Sequence, residues 1–260
     1  MHPLSADLIT SLCPGWQIEV CERLDSTQDH LADQARAGTA APKVVLAETQ
    51  VKGRGRRGQA WHSGHGENLT FSTLLDPDLP LAQWPRLTTL CALSLCQTLR
   101  REFGLDVRIK WPNDLWIGQS KLCGLLAEVV AGPKAPRLIL GVGINVNGLH
   151  FPSDLGQKAT SLRLQLGGAA CSPLDRNPLA AALLIDLGEG LKRNAESFAA
   201  ALDEVRQLSL VLGKRIEVCL EGHTIHCNCL DINEEGHLIL HFDDGTRRII
   251  SSAEQVRPIS

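Results

Sequence analysis

The sequence predicts an α+β fold: a mixed sheet with flanking helices, followed by a small, separate β unit. Three observations carry this reading. Helical and strand patterns are interleaved over the first 210 residues without a regular strand–helix–strand alternation. Beyond about residue 211 the pattern changes to short alternating strands separated by turn residues, as in a small barrel. A length of 260 residues leaves room for one large and one small domain, expected at 1–210 and 211–260.

The elements follow in order. Asp25 or Ser26 can cap a helix carrying Leu31, Ala32 and Ala35 on one face, and Gly38 can end it. Val44 to Ala47 is a short buried-type strand, and Leu69 to Leu75 is another. Pro77 and Pro80 mark a loop. Leu87, Leu90, Cys91, Leu95 and Leu99 then recur at helical spacing between Arg86 and Phe103, with Gly104 as a stop. Strand patterns return over 107–111, 115–117, 122–130 and 138–146, joined by Gly118-Gln119-Ser120 and Gly132-Pro133-Lys134. A long helical pattern over 179–210 is interrupted by Gly188 and Gly190. In the last segment Ile216, Val218 and Leu220 alternate, as do Leu238, Leu240 and Phe242, and Glu221-Gly222, Glu235-Gly236 and Asp244-Gly245 supply turns.

Composition narrows the class. Hydrophobic residues make up 43% and charged residues 21%, enough for a substantial core. A net charge of −3 argues against a surface devoted to nucleic acid, so any cation-dependent site is local. No apolar run is long enough to span a membrane, and the N-terminal residues lack a secretory pattern. The nine scattered cysteines include no Cys-x-x-Cys, which fits reduced thiols in a cytoplasmic protein.

Four segments can carry chemistry. Gly53-Arg54-Gly55-Arg56-Arg57-Gly58 combines glycines that let backbone N–H groups approach an anion with fork-shaped guanidinium donors. It lacks the Gly-Lys-Ser/Thr of a nucleotide-binding P-loop, and a solvated basic loop or an RNA-binding tract are its plainer readings. Lys110-Trp111-Pro112-Asn113-Asp114 is a turn by default, or a place where Asn113 and Asp114 face a ligand or a divalent metal. Lys121 opens the apolar run through Glu128 and is either solvated or aimed into a pocket, where it would neutralise developing charge. Gly141 to Asn147 places glycines in a strand, for tight packing or for close ligand approach. Ser26-Thr27 is by itself an ordinary helix cap, and Cys123 sits among apolar neighbours as a core thiol.

In this order, these segments resemble the biotin protein ligases. The resemblance rests on Asp25-Ser26-Thr27, Gln50 with Gly53 to Gly58, Trp61-His62-Ser63 with Gly66 to Leu69, Lys110 to Asp114, Lys121 to Glu128 and Gly141 to Asn147. It implies a class II synthetase-like catalytic domain and a C-terminal SH3-like barrel. It implies two steps: biotin and ATP give biotinoyl-5′-AMP and pyrophosphate, then biotin passes to a lysine of a biotin carboxyl carrier domain. Mg²⁺ accompanies ATP, with Asp114 as a candidate ligand. Lys121, Arg56 and Asp114 are the implied catalytic residues. Ser26, Thr27, Gln50, Arg54, Gly55, Arg56, Lys121 and Gly124 are implied at biotin. Arg54, Arg57, Trp61, Asn113, Gly143 and Asn145 are implied at the nucleotide.

Two departures stand out: Gln28 where the family often has Asn, and Val51-Lys52 before Gly53. Only 25 residues precede Ser26, too few for the DNA-binding domain of the bifunctional members, so a monofunctional ligase without direct DNA binding is expected. A homodimer remains open. The rival readings are a lipoate or octanoate ligase or transferase on the related fold and a non-catalytic RNA-binding module using the Arg-Gly loop.

Overall fold

A computed structural model describes residues 2–152, 158–192 and 194–259. Twelve strands and six α-helices follow in the order α1 (Ala6–Leu12), β1 (Gln17–Leu24), α2 (Thr27–Arg36), β2 (Lys43–Gln50), β3 (Asn68–Leu75), α3 (Pro85–Phe103), β4 (Val107–Lys110), β5 (Asp114–Ile117), β6 (Ser120–Ala131), β7 (Pro136–Asn145), α4 (Leu162–Gln165), α5 (Arg176–Lys192), α6 (Asn194–Leu208), β8 (Arg215–Leu220), β9 (His223–Ile232), β10 (Leu238–Phe242), β11 (Arg247–Ile250) and β12 (Gln255–Pro258).

β1 to β7 form a mixed sheet in the order β1-β2-β3-β7-β6-β5-β4. β1 and β2 run parallel, and the other neighbours pair antiparallel. Strand alternation splits the sheet into two faces. Leu138, Leu140, Val142 and Ile144 of β7 enter the main core with α3 and α5, whereas Ile139 meets Leu31, Ala32 and Ala35 of α2 on the opposite face. Gly141, Gly143 and Asn145 share that second face, where the cavity described below opens. β8 to β12 form a separate five-stranded antiparallel sheet in the order β11-β10-β9-β8-β12, the small β unit that the alternation past residue 211 predicts. The two sheets meet through Trp111, whose buried indole N–H donates to Gly236 O at 2.9 Å.

Most local expectations hold because their punctuation is physical. Ser26 caps α2, its hydroxyl accepting from Asp29 N, and Gly104 ends α3 in the left-handed conformation. The expected helix break is not found where the glycines lie. Gly188 and Gly190 do not interrupt the helix, since α5 runs through both to Lys192. Gly190 instead lets α5 approach α3 closely: a Cβ there would stand 2.0 Å from Ser94 Oγ. The sequence pattern also leaves α1 and β1 unanticipated. β1 is a half-exposed edge strand, so the hydrophobic contrast between its faces is weak.

One buried ion pair ties the N-terminal residues, sheet and helices together. Arg176 at the start of α5 meets Glu48 of β2 at 2.7 Å, with both side chains almost wholly buried. Arg176 also donates to Asn68 O, and Glu48 accepts from Leu4 N. Removing one partner leaves an uncompensated interior charge. Arg176→Met is therefore expected to lower the unfolding free energy by about 3–5 kcal/mol, read as a shift of the denaturation midpoint at unchanged m-value.

Candidate active site

A cavity of about 470 Å³ runs across the second face of the large sheet, from the N-terminus of α2 to β4, and is closed on one side by residues 253–256 of the C-terminal unit. Every residue that the resemblance implies at biotin, at the nucleotide or in catalysis lines it. So do Gln28, Ser72 and Lys110, to which no ligand role was assigned, and Gly141, whose strand position allowed close ligand approach.

Its floor is made of glycine. Gly124 of β6 and Gly143 of β7 are cross-strand partners, and Gly141 lies one step further along the same face. A Cβ on Gly143 would stand 2.4 Å from the Trp61 ring, and one on Gly124 would stand 3.2 Å from Lys121 Nζ. A Cβ on Gly141 would stand 2.5 Å from Gln28 Oε1. The bare backbone is what lets these side chains, or a ligand in their place, lie flat on the sheet.

The end beside α2 is lined with neutral hydrogen-bonding groups. Gln50, at the end of β2, accepts from Thr27 N at 2.7 Å and from Thr27 Oγ1 at 3.0 Å. Thr27 Oγ1 also lies 2.8 Å from Ser72 Oγ, which donates to Gln28 Oε1 at 3.0 Å. The departure at Gln28 thus leaves the helix start and the Ser26 and Thr27 hydroxyls in place. Gln28 extends the polar wall into the space that Gly141 vacates.

The middle of the cavity is charged. Lys121 Nζ pairs with Asp114 Oδ1 at 2.8 Å, with side-chain exposures of 17% and 16%. A β-bulge makes this possible. Leu115 faces Cys123 while Trp116 faces Lys121, so Leu122 is the extra residue on β6. Regular alternation would put Lys121 on the core face with Cys123. The bulge turns it to the face of Gly124 and Asp114. Cys123 is a core thiol, pushed well above its usual range by burial.

The Gly-Arg loop folds over the cavity, and its three arginines do different things. Arg54 bridges Glu128 at 3.0 Å and Asp29 at 2.6 Å, which holds its guanidinium above its ordinary value and straps the loop to β6 and α2. Arg57 pairs with Glu254 of the C-terminal unit at 3.0 Å. Arg56 donates to Asn113 Oδ1 at 3.2 Å, and burial, with Arg57 nearby, pulls its guanidinium below the ordinary value. Lys52 pairs with Asp25 on the exposed outer side, away from the ligand face.

Asn113 and Asn145 brace the frame. Asn113 donates to Leu125 O and accepts from Arg56. Asn145 accepts from Asn68 and donates to Thr160 O, while Thr160 N bonds to Lys121 O. The Trp61 indole N–H is buried without a hydrogen-bond partner among the described residues. An orphaned donor on a cavity wall fits a site built for a ligand.

Comparisons with known proteins agree with this geometry. The sequence profile of the Biotin/lipoate A/B protein ligase family matches residues 20–145, and that of the Biotin protein ligase C terminal domain matches residues 211–254. The chain is 35% identical over 251 residues to the biotin--[acetyl-CoA-carboxylase] ligase of Mycobacterium tuberculosis, covering 93% of this chain and 89% of that one. It is 31% identical over 234 residues to the bifunctional ligase/repressor BirA of Bacillus subtilis, covering 88% and 70%. The structure of the biotin protein ligase from Aquifex aeolicus in complex with biotin and ATP superposes with a TM-score of 0.81 at 28% identity, covering 94% of this chain and 99% of that one. The ordered motifs, the glycine-floored cavity and these similarities together place the chain in the biotin protein ligase family.

Proposed function

We propose that this protein is an ATP-dependent biotin protein ligase that adenylates biotin and transfers it to a lysine of a carboxylase carrier domain. The observation that carries the reading is the order of chemistries along one cavity: a neutral hydrogen-bonding end, a glycine floor, then a buried lysine–carboxylate pair. Thr27, Ser26, Gln50 and Ser72 match a cyclic urea, which offers two N–H donors and one carbonyl acceptor. A long alkyl acid offers these groups no donor or acceptor to exchange for the bonds they make with one another, which disfavours lipoate and octanoate. Arg54 and Arg57 are already neutralised by carboxylates, which disfavours an RNA surface.

The chemistry needs no enzyme nucleophile. A carboxylate oxygen of biotin attacks the α-phosphorus, the bond from that phosphorus to the bridging oxygen breaks, and pyrophosphate leaves with the electron pair. Negative charge builds where acid and phosphate approach each other. Lys121 would stabilise it there, with Arg56 closing from the loop. Asp114 holds the Lys121 ammonium in place, and its cost is low because the pair is already formed before substrate arrives. In the second step the acceptor amine attacks the acyl carbon and AMP leaves. Mg²⁺ would ride on the phosphates and screen their charge. One carboxylate, Asp114, plus phosphate oxygens and water suits its usual coordination. The catalytic part is taken to be 1–210 and the C-terminal part 211–260, with Glu254 reaching back to the loop.

Three outcomes test this reading. Pyrophosphate–ATP exchange by the purified protein should require biotin and should not occur with lipoate or octanoate; exchange with either of those acids moves the protein to the neighbouring activity. Lys121→Ala should cut the exchange rate by about 10²–10³-fold while keeping the unfolding midpoint, and an unchanged rate removes Lys121 from the chemistry. Glu254→Gln releases one end of the loop. An exposed ion pair is worth about 0.2–1 kcal/mol, so biotinoyl-AMP should dissociate about 1.4- to 5-fold faster. Equal dissociation rates would show that the Arg57–Glu254 contact does not hold the loop closed.

A further inference from the structure

Outside the cavity, two regular spacings bring four polar side chains together between β1 and α2. Glu19 and Cys21 are two residues apart on the edge strand β1, so they share one of its faces. His30 and Gln34 are four residues apart, one turn along α2. Cys21 packs beside the Leu31, Ala32 and Ala35 cluster, which puts this face of β1 against the helix. Here, and nowhere else among the described residues, three His, Cys or carboxylate ligand atoms lie within 4.8 Å of one another. The cluster is open to solvent on one side, with the His30 and Glu19 side chains 33% and 30% exposed.

The two oxygens of Glu19 have different company. Oε2 meets Lys43 Nζ at 2.6 Å and accepts from Gln34 Nε2 at 3.0 Å. Oε1 lies 2.8 Å from His30 Nε2 and 3.6 Å from Cys21 Sγ. Burial would raise the Glu19 carboxyl, but the bonds from Lys43, Gln34 and His30 outweigh it and bring its pKa down to about 2, so it is a fixed anion. His30 Nε2 also lies 2.9 Å from Gln34 Nε2. One ring nitrogen cannot donate to Glu19 and accept from Gln34 at once. Protonated, it faces the amide donor; unprotonated, its lone pair faces the carboxylate. A cation shared by Nε2 and Oε1 removes that conflict. Gln34 Oε1 is buried without a partner among the described residues, an acceptor of the kind that a metal-bound water satisfies.

We propose that Cys21, Glu19 and His30 bind one zinc ion through Sγ, Oε1 and Nε2, with water as the fourth ligand, and so clamp α2 to the edge strand β1. Thiolate, imidazole and carboxylate together suit zinc, whereas calcium and magnesium take oxygen ligands. Bonds of about 2.0–2.3 Å would draw the three atoms together around one ion. The Cys21 proton leaves to solvent as the sulfur–zinc bond forms, and no electron is transferred. Lys43 and Gln34 keep Oε2 and orient the carboxylate from behind. The clamped helix is the one whose first residue, Thr27, lines the cavity.

The test is a zinc titration of the chelator-treated full chain against a chromophoric zinc indicator, with Cys21→Ser and His30→Gln beside it. The wild type should take up one equivalent. Losing a partner behind the ligands costs about 10–100-fold in metal affinity, so each variant, which loses a ligand itself, should bind at least about 100-fold more weakly. Cobalt in place of zinc should give a sulfur-to-metal charge-transfer band in the wild type and none in Cys21→Ser. Zinc should raise the unfolding midpoint of the wild type and leave both variants unmoved. A wild type that takes up no zinc, or zinc bound equally by all three proteins, overturns the proposal. If Cys21→Ser lowers the unfolding midpoint without metal, His30→Gln decides by the same titration.

Discussion

The site depends on a stretch of sheet that carries no side chains. Gly124 and Gly143 face each other across β6 and β7, and Gly141 continues the gap. Any Cβ there would collide with Trp61 or Gln28, or crowd Lys121. The sheet can therefore be both the wall of the core on one face and the floor of a ligand cavity on the other. Its strength on the core face comes from Leu140, Val142 and Ile144, which alternate with these glycines along β7.

Charge is then distributed around that floor by pairing most of it off. Arg54 is fixed between two carboxylates, Arg57 is fixed to the C-terminal unit, and Lys121 is fixed by Asp114. Arg56 and Lys110 are held instead by an amide oxygen and an aromatic face. The first three set the shape of the cavity. The last two carry positive charge at lower cost of rearrangement when an anionic substrate enters. This division explains how a protein with net charge −3 can keep two cations without ion-pair partners, among the described residues, in one cavity.

Much of this was legible in the sequence because its signals are local. The cap at Ser26, the stop at Gly104 and the turns at Gly222, Gly236 and Gly245 need only neighbouring residues, and each is found with the backbone conformation its residue type favours. The motif residues converge on one cavity, as their order along the chain suggested through family resemblance. What the sequence could not disclose is set by distant partners. Alternation along β6 puts Lys121 with Cys123, and only the bulge at Leu122 reverses that. Gly190 looks like a break until α3 is seen to need the space. Arg54 reads as a ligand donor because nothing near it in sequence announces Glu128, 74 residues away.

The position of Trp61 has an optical consequence. Of the five tryptophans, Trp16, Trp84 and Trp111 donate their indole N–H to backbone carbonyls, and Trp116 lies under Lys110. Trp61 alone among them rests on the glycine floor of the cavity. Anything that settles on that floor must displace its ring or stack against it. The chain has no tyrosine to add background emission, so its intrinsic fluorescence is a built-in gauge of cavity occupancy.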